Sequence, residues 1–259
     1  MYEGCKYMKH EYDFIVVGGG SAGCALASRL SEDRSISVLL LEAGPDATPW
    51  QIRMPLAVDM LLTSTTYNWG FESEAEEGLG GRSIPHPRGR VLGGSSAING
   101  MVYTRGNPQD YDEWRDSFGC AGWGYADVLP YFMRMENAKE GDDRYRGRKG
   151  PLRVTRPKPT NPLNTAFLEA GRSIGYPVSD DLNGPQHEGF AVAEQTILDG
   201  QRNSAAAAFL NSAVRARPNL TISAKTAVEK IVFEGKRAVG VVVKRGGREH
   251  VIRARKEVI

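Results

Sequence analysis

A strand, a glycine-rich turn and a helix follow one another from Tyr12 onward, and few folds accept that order with these residues. Residues 12–17 are apolar and rich in aromatic and β-branched side chains, which reads as a buried strand. The run stops at Gly18-Gly19-Gly20-Ser21-Ala22-Gly23. Over residues 21–32, Ala22, Ala25, Leu26, Ala27 and Leu30 recur at helical spacing with a small-residue face. Residues 36–41 are continuously apolar, as in a parallel strand covered on both faces. Together these make a strand–helix–strand unit of about 30 residues. In Gly18-x-Gly20-x-x-Gly23 the first glycine permits the turn, the second admits a pyrophosphate, and the third lets the helix pack on the strand. The helix N-terminus, carrying Ser21 and Ala22, offers free N–H groups and partial positive charge to phosphates. Glu42 lies 24 residues after Gly18, where an acid accepts hydrogen bonds from ribose hydroxyls and repels a 2′-phosphate, disfavouring NADP.

The same residues also spell Gly19-x-Ser21-x-Gly23, the strand-to-helix elbow of a serine hydrolase with Ser21 as nucleophile. That reading needs an oxyanion loop from an earlier strand, and this strand is the first. It also needs a later acid and histidine in order, and His86, His187 and His250 carry no supporting local pattern. A dinucleotide-binding module without catalysis is a further alternative.

Composition narrows the classes. Lys+Arg is 33 against Asp+Glu 31, so charge makes no case for nucleic acid or an anionic membrane. No apolar run reaches the ~18 residues of a membrane span, and residues 1–12 lack a signal-peptide core. Cys5, Cys24 and Cys120 read as reduced thiols of a cytoplasmic protein. The Asn219-Leu220-Thr221 triplet reads as a chance glycosylation match.

Further along, residues 43–106 are rich in Gly and Pro. Helices are expected at 107–118, opened by Asn107-Pro108, and at 125–137, 162–174 and 202–216. Strands are expected at 221–223, 228–234 and 238–245, with turns at Gly235-Lys236 and Gly246-Gly247. The charge run 144–149 reads as a solvated loop, and Trp114, Trp123, Tyr131 and Phe132 as core anchors. After charged residues 253–257, Val258-Ile259 begins a new apolar run that is expected to return to the parallel sheet, and a truncated sequence is expected.

A second glycine cluster, Gly89-Arg90-Val91-Leu92-Gly93-Gly94-Ser95-Ser96-Ala97-Ile98-Asn99-Gly100-Met101-Val102, interleaves apolar residues in a way linkers do not. Its small residues would admit a second part of a ligand. With Tyr103, Gly106 and Asp112, it resembles the first signature of the glucose–methanol–choline (GMC) oxidoreductase family. The Gly18–Gly23 turn, Leu41-Glu42-Ala43-Gly44, Asn68-Trp69 and the segment from Asn203-Ser204 to Phe209-Leu210 resemble it too. Residues 99–107 look most like its choline dehydrogenase branch.

The resemblance implies an α/β fold: a Rossmann-like FAD-binding domain with a parallel sheet and an antiparallel meander, plus part of an α+β substrate domain. The expected divisions are 12–150 and 218–259 for the FAD-binding domain and 151–217 for the substrate part. It implies oxidation of a small-molecule alcohol by hydride transfer to FAD. Gly18, Gly20 and Gly23, with Ser21 and Ala22, would face the pyrophosphate, and Glu42 with Ala43 the adenosine ribose. Trp69, Arg90 and Val91 join the cofactor set. Gly93, Gly94, Ser95, Asn99, Gly100, Met101 and Val102 would lie along the ribityl chain and isoalloxazine, and the Val228 backbone would meet adenine. Where some relatives attach flavin through a histidine, this chain has Ile98, which implies non-covalent FAD. None of His10, His86, His187 or His250 matches the family's catalytic base, so no catalytic residue and no metal ligand is assigned within these residues, and the chain alone is expected to be inactive.

Overall fold

The computed structural model describes residues 8–46, 48–158, 160–245 and 247–259, so Cys5 and Gly246 lie outside the described residues. The first strand, β1 (Glu11–Val17), buries Tyr12, Ile15 and Val16. It feeds helix α1 (Ser21–Leu30) and then β2 (Val38–Leu41), whose four residues are all buried. β1 and β2 run parallel, from Phe14 opposite Val38 to Val17 opposite Leu41. β3 (Leu220–Ser223) adds a parallel strand on the far side of β2. Then β4 (Val228–Glu234), β5 (Arg237–Arg245) and β6 (Arg248–Val258) make an antiparallel meander, with Gly235 at φ +61° in the first turn. The expected parallel sheet and meander are one six-stranded sheet, ordered β3-β2-β1-β6-β5-β4.

β6 joins the two halves, being antiparallel to β5 and parallel to β1. Val258 pairs with Ile15, the Ile259 N–H donates to Ile15 O (2.9 Å), and the Val17 N–H donates to Ile259 O (2.7 Å). Val258-Ile259 thus returns to the parallel sheet as expected, but as the end of a long strand rather than the start of one. The sequence misleads here because Arg253 and Arg255 occupy the exposed face of a period-two strand while Ile252 and Ala254 fill its buried face. One side of the sheet packs Tyr12, Ile15, Leu41, Val243 and Ile252 together. α1 covers the sheet with Cys24 and Ala27 and packs against the short helix Ala205–Phe209.

The expected long helix over 202–216 is broken. Residues Ala205–Phe209 and Ser212–Arg215 are separate helices because Asn211 caps the second, its Oδ1 accepting the Val214 N–H (3.1 Å). The Asn219 amide donates to the carbonyls of Ser31, Asp33 and Ile36, tying β3 to the turn before β2.

The chain divides into two compact units. One runs to Gly100 and resumes at Arg202–Ile259, and the other is Met101–Gln201, where the sequence suggested divisions at 150 and 217. The second unit carries helices Pro108–Asp116, capped by Asn107, Tyr125–Met135 and Pro162–Ser173. Short strands pair Val102–Tyr103 with Glu194–Gln195 and Glu136–Ala138 with Leu152–Val154. The charge run 144–149 is not all solvated. Arg146 is fully buried and pairs with Glu136 (2.9 Å), Asp181 (2.7 Å) and Glu194 (2.8 Å), while Arg105 pairs with Glu136 (2.8 Å). Trp114, Trp123 and Tyr131 are not core anchors. They are exposed; Trp114 sits edge-on to Tyr111 and tilted against Trp123, a cluster of rings on the surface of this unit.

Candidate functional site

The chain leaves β1 at Gly18, whose φ of +98° suits glycine, and the Gly18 N–H donates to Leu41 O (2.8 Å). A Cβ on Gly23 would fall on the Gly18 carbonyl oxygen, so the helix seats against the turn only with glycine there. A Cβ on Gly20 would meet nothing within 4 Å, so its face is open. The first helical bond runs from the Cys24 N–H to Gly20 O (3.0 Å), leaving the Ser21, Ala22 and Gly23 N–H groups ahead of it. That first turn carries no acidic side chain and no side-chain cap, so nothing there competes with an anion.

Glu42 is buried at the end of β2. Its Oε2 accepts the Gly19 N–H (2.8 Å) and its Oε1 the Gly44 N–H (2.7 Å). Burial pushes its pKa above the usual carboxylate range, and the two N–H bonds oppose that shift. A carboxylate has about four acceptor positions, so two remain beyond these braces. Glu42 therefore holds the glycine turn in shape while keeping acceptor capacity, a bracing role that spacing alone did not reveal.

Between these elements lies a cleft of about 350 Å³, within the range of roughly 300–1,000 Å³ common for small-molecule sites. It brings together the expected Gly18, Gly20, Glu42, Ala43, Trp69, Gly94 and Val228. Its walls also include Val17, Leu41, Gly89, Thr226 and Ala227, which sequence reasoning did not select. Thr226 is placed by its N–H, which donates to Glu42 O (2.8 Å). The Arg90 guanidinium lies over the Trp69 ring (4.9 Å), which stacks on Phe71 (5.8 Å).

The two glycine clusters meet backbone to backbone. The Gly93 N–H donates to Gly19 O (2.7 Å), and a Cβ on Gly94 would stand 2.7 Å from Gly20 Cα. Gly44 is similarly required against Arg90 O. Within the second cluster, Gly94–Ala97 is a 3-10 turn; Ser95 Oγ accepts the Gly89 N–H (3.1 Å), and Ser96 Oγ donates to Gly93 O (2.6 Å). Val91 and Ile98 turn their side chains into an apolar cluster with Ile52 and Leu61, so only the Val91 backbone remains to face a ligand. Asn99 and Gly100 are exposed at the end of the first unit. Met101, at φ +62°, and Val102 belong to the second.

Arg202 is a residue that sequence reasoning missed, having read it as a helix start. It is 5% exposed, and Nη1 donates to Asn99 O (2.6 Å) and Asn99 Oδ1 (2.9 Å). The histidines are scattered. His86 and His250 are exposed, and burial pushes the half-buried His187 below the usual imidazole pKa. Among the described residues Ser21 makes no hydrogen bond to a histidine, which leaves the hydrolase reading without geometry. No helix of the described residues is long and apolar enough to cross a membrane.

A buried strand, a Gly-x-Gly-x-x-Gly turn at a helix N-terminus and an acid ending the next strand define a dinucleotide-binding α/β protein. Residues 12–259 match the model of the GMC oxidoreductase family, and the chain belongs to that family. It is 53% identical over 250 residues to the oxygen-dependent choline dehydrogenase of Brucella anthropi, covering 96% of this chain and 45% of that protein. It is 48% identical over 258 residues to the human mitochondrial choline dehydrogenase, covering 97% and 43%. Among solved structures, the pyridoxine 4-oxidase of Mesorbium loti superposes with a TM-score of 0.91 at 38% identity, covering 95% of this chain and 48% of that one. The chain thus spans about half the length of the curated relatives it matches.

Proposed function

We propose that this chain is the FAD-binding part of a choline dehydrogenase-like enzyme that oxidises a small alcohol to an aldehyde or ketone. The observation that carries the reading is the junction of the two glycine clusters, Gly93 N–H on Gly19 O and Gly94 against Gly20, beside the uncapped α1 N-terminus and Glu42. The residues fit a dinucleotide, since Gly20 opens on free space and the first turn of α1 carries no acidic side chain. Bound FAD supplies the hydride acceptor at flavin N5.

In this reading the Ser21, Ala22 and Gly23 N–H groups hold the pyrophosphate, and Glu42 orients the ribose with Ala43 beside it. The Val228 backbone meets adenine, and Trp69 and Arg90 flank the cofactor. Gly93, Gly94, Ser95, Asn99, Gly100, Met101 and Val102 serve the ribityl chain and the ring. Ile98 offers no nucleophile to the flavin, so attachment is non-covalent. The unit ending in Arg202–Ile259 serves the cofactor, and Met101–Gln201 contributes to substrate binding. Among the described residues no histidine has the setting of a base for the alcohol proton, so these residues alone are expected to turn over no alcohol. Free Cys24 and Cys120 suit a reducing, cytoplasmic location.

The test is flavin absorbance in the purified full-length protein, followed by dye reduction with choline and simple primary alcohols. Flavin with alcohol-dependent reduction is expected. Flavin that no alcohol reduces would leave only a dinucleotide-binding module, and absence of flavin after reconstitution would sink the proposal.

A further inference from the structure

Arg202 is a buried cation held entirely by neutral acceptors. Its Nε–H donates to Ile52 O (3.0 Å), and Nη1 donates to Asn99 O (2.6 Å), Asn99 Oδ1 (2.9 Å) and Ser96 O (3.3 Å). One guanidinium therefore ties the segment at Ile52 to the end of the second glycine cluster. Among the described residues no carboxylate pairs with it, and its buried Nη2 has no hydrogen-bond partner. Burial pushes its pKa down to about 10, which still leaves it charged at neutral pH. Keeping an unpaired charge inside a protein is costly. A rigid fork suits this task and a lysine does not, because a single ammonium on a flexible stem cannot span these acceptors together.

We propose that Arg202 is the positioning residue of the loop Ser96–Asn99, whose Asn99 end the FAD reading places at the flavin, and the fixed positive charge that favours the reduced cofactor. The inference rests on the FAD reading above. Accepting a hydride, one proton with two electrons, leaves the flavin with one more negative charge. A cation that no carboxylate neutralises stabilises that state over the oxidised one, and does so without reorganising.

Three full-length holoproteins decide it: wild type, Arg202→Lys and Arg202→Met. The readouts are the FAD dissociation constant, from flavin fluorescence on dilution, and the two-electron midpoint potential, from equilibration with a reference dye. Arg202→Met is expected to loosen FAD at least tenfold. It should also lower the preference for reduced flavin about tenfold, a shift of about 30 mV to more negative potential. Arg202→Lys keeps the charge and loses the fork, so it should loosen FAD while holding the wild-type potential. A methionine variant at the wild-type potential overturns the proposal. If that variant gives no folded protein, wild-type FAD affinity in Arg202→Lys overturns it instead. A wild-type protein that binds no flavin would strike the functional reading itself, which separates the two failures.

Discussion

Burial and hydrogen bonding pull the Glu42 carboxyl in opposite directions, and the outcome matters for both turn and cofactor. Its two oxygens already brace the Gly19 and Gly44 N–H groups. Removing it deletes those acceptors and any contact with a ribose, each charge-assisted bond being worth roughly 1.5–3 kcal/mol. In the full-length protein Glu42→Ala should loosen FAD by about ten- to a hundredfold, read as flavin lost on dilution; unchanged retention would remove Glu42 from the site. The placing of Glu42 beside the glycine turn was legible from its spacing, and its bracing of Gly19 and Gly44 was not, because those N–H partners come together only in the folded turn. Arg202 was not, because its value comes from acceptors at Ile52, Ser96 and Asn99, more than a hundred residues away, that no local pattern announces.

At the level of strands and helices, local signals succeeded where one element carries its own punctuation. Asn107 and Asn161 cap helices that begin at the following proline. They failed where a tertiary partner decides, as at Arg146, whose buried ion pairs come from Glu136, Asp181 and Glu194. Arg146→Met should destabilise this unit by about 3–5 kcal/mol, since it strands buried carboxylates; a melting curve within error of wild type would refute that. The Asp13 carboxylate links β1 to β6 through Arg255 Nε (3.0 Å) and to the entrance of β2 through the Ser37 N–H (2.8 Å). The Arg255 guanidinium and the Ser37 N–H hold its carboxyl well below the usual carboxylate range. A lowered folded pKa stabilises above the unfolded value, and the contribution fades as pH falls through the folded one. Stability between about pH 4 and the acid limit should therefore depend less on pH in Asp13→Asn than in wild type, as urea titrations at stepped pH would measure.

For the whole molecule, the strand–helix–strand opening and the antiparallel meander were readable because each alternates or runs apolar on its own. The return of Val258-Ile259 to the parallel sheet was readable as well; that one strand, β6, serves both the meander and that sheet was not, since it looks like two segments until Ile252 and Ala254 are seen to share the buried face. Ile98 bears on the holoprotein as a whole, since its side chain is packed in an apolar cluster and carries no nucleophilic atom. Acid precipitation of the full-length holoprotein should release all the flavin to the supernatant. Colour that stays with the pellet would mean a covalent link elsewhere and a misplaced second cluster.

The pairing of Glu11 with Arg253 joins residues 242 positions apart in sequence. During synthesis at about 5–20 residues per second, β1 waits roughly 10–50 s for that partner. The contiguous unit Met101–Gln201 emerges whole within that interval, with both ends of its Arg146 ion pairs already available. The segment Met101–Gln201 is therefore complete while β1 still has an open edge on the side that β6 takes, and that edge stays exposed to mispairing until β6 is made.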